Sequence, residues 1–160
     1  DFIQLYQCRL LLAVIYSNTE RYSLAEYEIK QLLEGGYESV QAYSVYSYIL
    51  FQLGRTDQSL DTIRAAMELD PENANVLNSL GYIEAEQGQR LDEALEYCKR
   101  AVRKAPEQAA YLDSLGWVYY KLGKYREAHQ YIKRAYSISD DHPIIKDHLR
   151  RVVEQVEPEG

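Results

Sequence analysis

One pattern of small residues and turn residues recurs along this chain at offsets of 34, 34 and 35 residues. The copies begin near Tyr6, Val40, Ala74 and Ala109. One column holds Ala13, Ser47, Gly81 and Gly116; a second holds Ala25, Ser59, Ala94 and Ala128; a third holds Leu32, Ala66, Ala101 and Ala135. Between them lie larger apolar side chains: Leu12, Tyr46, Leu80 and Leu115, then Ile29, Ile63, Cys98 and Ile132. A fourth column holds Glu20, Gly54, Gly88 and Gly123. Few architectures accommodate such a period, because each copy must bury its apolar face against the next.

The last copy shows what one unit is. Leu112, Leu115, Val118, Tyr119 and Leu122 have helical spacing, and Gly123 breaks it as a residue free to take positive φ does. Ala128, Tyr131, Ile132, Ala135 and Ile138 resume the period. Each copy is therefore expected to be two helices joined by a tight turn. Small residues facing small residues let the two helices approach closely, and the large ones interlock around that contact.

These residues resemble the tetratricopeptide repeat. The fourth copy carries the pattern in Leu112, Leu115-Gly116, Tyr119, Ala128, Ile132 and Ala135, with Asp140 where the family usually has Pro. The third carries Leu77, Leu80-Gly81, Ala94, Cys98, Ala101 and Pro106, with one extra residue in its turn, Gly88-Gln89-Arg90-Leu91. The second has Leu50, Ile63, Ala66 and Pro71 but Ser47 and Ser59 at the small positions; the first is degenerate, with Glu20 at its turn. The resemblance covers roughly residues 3–142 and implies an all-α, right-handed α-solenoid. The expectation is a single domain over 1–160, with repeats at about 6–39, 40–73, 74–108 and 109–142.

In order, the helix pairs are expected at about 3–18 and 21–34, 40–53 and 57–69, 74–87 and 91–104, and 108–122 and 125–138. Gly35-Gly36, Asp70-Pro71, Ala105-Pro106 and Ser139 to Pro143 separate them. Ser39 and Asn73 are placed to cap the helices that follow. Ile145, Leu149, Val152 and Val156 then form one apolar stripe. A helix over about 143–156 would cover the open end of the stack, or alternatively dock on a partner. Glu157 to Gly160 reads as a tail. The first residues already follow a helical pattern and the only Met is Met67. The sequence is therefore expected to be a piece of a longer protein.

The net charge of −7 argues against general nucleic-acid binding, which needs a basic surface. The acidity is uneven: residues 1–72 hold 5 basic and 11 acidic side chains, residues 73–160 hold 13 and 14. The longest apolar run, Leu10 to Tyr16, is too short to insert in a bilayer. Cys8 and Cys98 lie in different repeats and are expected to be unpaired. His129, His142 and His148 have no metal-ligand spacing. No metal and no cofactor is expected.

In a stack of this kind the first helix of each pair lines the concave side. One column there reads Val14, Tyr48, Tyr82 and Trp117, an aromatic ladder along a groove. Neighbouring columns supply Gln41 and Asn75, then Asn78 and Asp113, then Phe51 and Tyr120. Rings offer contact area at low entropic cost, and amides can pair with a bound backbone. The alternative use of the rings is packing against the adjacent helix. Glu84 and Glu86 fall nearby, facing the groove or the solvent.

Some family members clamp chaperone tails through Lys, Asn and Arg. The matching positions here are Leu10, Val14, Val45, Asn75 and Ser79, so that clamp is not expected in this register, which leaves open another register of a longer array. No phosphate loop, nucleophile motif or paired catalytic carboxylate stands out. The resemblance implies a non-catalytic scaffold that binds a peptide or protein partner in its groove. The alternatives are a recruiting module of a larger enzyme or envelope-assembly protein, and a self-assembly module forming homo-oligomers. The Leu-Gly-Tyr and Asp-Ser-Leu-Gly-Trp-Val-Tyr-Tyr forms are similar to bacterial members, several of which work in the cell envelope.

Overall fold

The structure, a computed structural model, describes residues 2–156. The expected tail at 157–160 lies outside the described residues. The helices are α1 (Phe2–Asn18), α2 (Tyr22–Glu34), α3 (Val40–Gln52), α4 (Thr56–Leu69), α5 (Ala74–Gln87), α6 (Leu91–Lys104), α7 (Ala109–Lys121), α8 (Tyr125–Ile138) and α9 (Pro143–Val156). No strand occurs among the described residues. The fold is an all-α helical repeat, with four helix pairs and a further helix within a residue or two of the expected bounds.

The chain, expected as one array, divides into two compact units, Asp1–Glu72 and Asn73–Gly160. In the first unit α1 packs on α2 and α3 on α4, with α2 and α1 both against α3. Ala13, Ala25, Ile29, Leu32, Ala42 and Ile49 form its core with Leu10. Ser39 caps α3, its side chain accepting from the Ala42 amide at 3.1 Å.

In this unit the second repeat solves the small-residue contact with hydrogen bonds. Ser47 and Ser59 are both buried where later repeats have Gly and Ala. Ser47 Oγ donates to the Ser59 carbonyl at 2.9 Å, and Ser59 Oγ to the Ser47 carbonyl at 2.7 Å. Two hydroxyls thus fill the seam with no polar group left unpaired.

In the second unit α5 packs on α6 and α7 on α8, with α5 and α6 against α7 and both α7 and α8 against α9. Asn73 caps α5 by accepting from the Val76 amide at 3.2 Å. The glycine seams here leave no room for a side chain. A Cβ on Gly81 would meet Cys98 Sγ at 2.5 Å and the Ala94 carbonyl at 2.9 Å; one on Gly116 would meet Ile132 Cγ1 at 2.5 Å. Ile132, Leu112, Leu115 and Val118 are fully buried around that approach. Each is worth roughly 1.5–3 kcal/mol of transfer free energy.

The turn column takes left-handed backbone in all four pairs: φ is 58° at Glu20, 75° at Gly54, 66° at Gly88 and 74° at Gly123. Glu20 does this with a Cβ. The extra residue of the third turn requires a second left-handed residue, Arg90 at φ 47°. Leu12 departs from its column. It is 37% exposed whereas Leu80 and Leu115 are at 1%, because no described element covers that face of α1.

Helix α9 repeats the register of a first helix. Leu149 and Val152 stand 34 residues after Leu115 and Val118, but Arg150 stands at the position of Gly116. Arginine is far larger than the Ala, Ser and Gly on which the second helices of the four pairs close. Ile145 and Val152 instead join the core of this unit.

Candidate functional site

Helix α3 carries three of the expected contact residues. Its N-cap at Ser39 and its buried Ala42, Ser47, Ile49 and Leu50 hold one face inward. That leaves Gln41 exposed, Phe51 half-buried and Tyr48 46% exposed. Tyr22 of α2 stands edge-on to Tyr48 at 6.4 Å between ring centroids. Partial burial, followed by hydrogen bonding with Tyr22, pushes the Tyr48 phenol up to about 12. It stays neutral, with its proton, throughout the physiological range.

Helix α5 carries the amides. Asn75 is exposed and Asn78 half-buried. Tyr111 of α7 hydrogen-bonds with Asn75, which partly offsets the upward pull of burial on its phenol. Asn78 Oδ1 is buried and has no hydrogen-bond partner. An acceptor left in that condition costs about 1–3 kcal/mol. Tyr82 is half-buried, and its phenol is held well above the usual tyrosine range by burial, then by Glu86 and Asp113.

Helix α7 does not present its expected residues on an open face. Trp117 is 2% and Asp113 6% exposed, because α9 lies over them. His148 of α9 stacks on the Trp117 ring at 4.0 Å between centroids and 12° between planes. Its Nδ1 lies 2.9 and 3.0 Å from the two Asp113 carboxylate oxygens. A carboxylate can only accept, so Nδ1 carries the proton and donates. Tyr120, half-buried, also stacks on the Trp117 ring, at 4.7 Å between centroids and 7° between planes. Trp117 Nε1 donates to Glu86 of α5. Lys121 and Arg151 stand 5.2 and 5.8 Å from the indole centroid.

Tyr48 on α3 and the Asn75, Asn78 and Tyr82 set on α5 therefore keep accessible surface, while Trp117 and Asp113 are internal contacts of α7 with α9. Sequence reasoning missed His148 in this role, having weighed it only as a metal ligand. It also missed the burial of Glu84, which is 2% exposed. The signal was present: aligning α9 on α7 puts His148 one position before the repeated leucine column. Cys8 and Cys98 are unpaired, and burial holds the Cys98 thiol well above its ordinary range. Among the described residues, no cluster of metal-ligating side chains occurs, and no helix is long and apolar enough to cross a membrane.

A second surface lies on α1. Phe2, Ile3, Leu5, Leu11, Leu12 and Ile15 are all exposed. The corresponding columns in α3 and α7 are covered within their units: Ile49 and Val118, which match Ile15, are fully buried.

Tetratricopeptide repeat profiles match residues 72–141 and 40–73. No curated protein matches the sequence. Among solved structures, the chain is similar to TTC0263, a thermophilic protein of this repeat class from Thermus thermophilus. They share 22% identity and a TM-score of 0.81, over 94% of this chain and 82% of that one. It is similar to pilF of Pseudomonas aeruginosa at 20% identity and TM-score 0.78, over 97% and 70%. It is also similar to YrrB, described as having an unusual peptide-binding site, at 22% identity and TM-score 0.68, over 87% and 71%.

Proposed function

We propose that this chain, which belongs to the tetratricopeptide repeat family, is a non-catalytic interaction module that binds an extended peptide segment of a partner protein. The repeat fold is that of a protein–protein interaction scaffold. The observation that carries the finer reading is the amide face of α5. Asn78 Oδ1 is buried without a partner beside the exposed Asn75 and the half-buried Tyr82. A peptide N–H supplies the missing donor, Asn75 adds a second amide, and the ring gives flat contact area. Tyr48, with Gln41 and Phe51, offers the same chemistry on α3. The peptide-binding site named for YrrB is consistent with this use of the fold.

The test is selection from a displayed peptide library on the wild-type chain and on Asn75→Ala/Asn78→Ala. Wild type should enrich a peptide motif that the variant, with unchanged helical content, does not retain. Enrichment of the same peptides by both proteins removes the amide face from recognition.

A second reading, association between copies, is favoured by the exposed apolar face of α1. Its test is Leu12→Lys/Ile15→Lys. The substitutions should lower any concentration-dependent mass without loss of helix.

A further inference from the structure

The junction between α8 and α9 is built unlike the other helix junctions. Asp140 and Asp141 are consecutive and both take left-handed backbone, with φ of 47° and 63°. Neither has glycine's freedom, and a Cβ in that region is unfavourable at each position. Among the described residues, the Ala105 to Gln108 junction between α6 and α7 contains no positive φ. The strained turn is held by an exposed clasp. Tyr136 donates to Asp141 Oδ1 at 2.9 Å, and Lys146 reaches the same oxygen at 2.9 Å. A clasp in solvent contributes little.

What α9 folds back onto is the opposite: a buried, complete seat. Asp113 receives His148, His148 and Tyr120 both stack on Trp117, and Ile145 and Val152 enter the core. A detached α9 would leave the Asp113 carboxylate without its imidazole donor and expose the indole. A second copy of the chain carries a helix that restores each of these contacts. Opening the turn relaxes Asp140 and Asp141, and the seat then reforms between chains with the same side chains. Residues 73–160 carry 13 basic and 14 acidic side chains, so little net repulsion opposes bringing two of these units together.

We propose that α9 is exchanged between two copies of this chain, each seating the other's α9 on Asp113 and Trp117 of its own α7. The strained Asp140-Asp141 turn is the hinge. His148 of the second copy then completes the seat.

The test compares three versions of the chain over residues 1–160, each carrying Leu12→Lys/Ile15→Lys, which removes association through α1. The first has the native hinge, the second Asp140→Gly/Asp141→Gly, the third Asp141→Pro. Mass is read by light scattering across a concentration series after mild warming and cooling. Emission of Trp117, the only tryptophan, reports whether α9 is seated. Glycine accepts left-handed backbone freely, so its dimer constant should be weaker than that of the native hinge by roughly tenfold or more. Proline bars positive φ, so Asp141→Pro should be mainly dimer with the buried-indole emission of the native hinge. Adding His148→Ala to Asp141→Pro should abolish that dimer. A monomeric proline variant with buried emission shows that the turn is dispensable, and one with exposed emission shows that α9 detaches without exchange; either overturns the proposal. If the proline variant loses its helix, the glycine variant decides: an unchanged dimer constant overturns the proposal.

Discussion

His148 Nδ1 sits 2.9 Å from a carboxylate oxygen of Asp113, and both side chains are buried between α7 and α9. The imidazole is the buried donor that this carboxylate receives from α9. His148→Ala should therefore destabilise the chain by about 1–3 kcal/mol, the cost of leaving a buried acceptor unmet. Combining Asp113→Asn with His148→Ala should recover part of the loss. Urea unfolding of the two variants beside the native chain checks both statements.

Trp117→Ala removes a ring that is 2% exposed and covered by His148 and Tyr120. It should cost roughly 3–5 kcal/mol, as other large-to-small core changes do. Tyr48→Ala, at a half-open position, should cost about 1 kcal/mol or less. Thermal unfolding of the two variants separates an internal ring from a surface one on the same repeat column.

Gly116→Ala places a Cβ 2.5 Å from Ile132 Cγ1 and 3.1 Å from the Ala128 carbonyl. The helices must part or Ile132 must turn, at about 1–3 kcal/mol, and Gly116→Leu should cost more. Glu20→Gly should act in the other direction. The left-handed backbone at φ 58° favours glycine, so stability should rise by up to about 1 kcal/mol. Denaturant midpoints of the three variants give each sign directly.

Glu26 sets an acid-sensitive contact in the first unit. Lys30 lies 2.8 Å and Arg55 2.5 Å from its Oε1. Burial alone would raise this carboxyl, but the bonds from Lys30 and Arg55 prevail and hold it below the ordinary 4.5. Because the folded value is the lower one, the contribution is complete above the unfolded value and is lost as pH falls through the folded one. The cations are partly exposed, so the loss should be under about 1 kcal/mol. Glu26→Gln should flatten the fall in stability between about pH 5 and pH 3, followed by urea midpoint against pH.

Much of the fold was legible in the repeat. The columns of Ala13, Ala25, Ile29 and their successors are buried as their spacing required, and Ser39 and Asn73 cap where they were placed. The candidate site was less legible. Tyr48 and Trp117 occupy one column, but α9 covers only the second of them. Periodicity within a repeat carries no information on what a later helix covers. The pairing of His148 with Asp113 spans 35 residues and two helices. It follows only once α9 is seen to repeat the register of α7. Ser47 and Ser59 looked like departures from the pattern because the rule was stated by size, while the structure satisfies it by hydrogen bonding.

Recognition of a peptide through the α5 amide face turns on Asn78. The most direct measurement is calorimetric titration of a selected peptide into wild type and into Asn78→Ala, with helical content matched by circular dichroism. Affinity for the variant should be at least tenfold weaker, about 1.4 kcal/mol, within the cost of an unmet buried hydrogen bond. Equal affinities would contradict it and place recognition elsewhere on the chain.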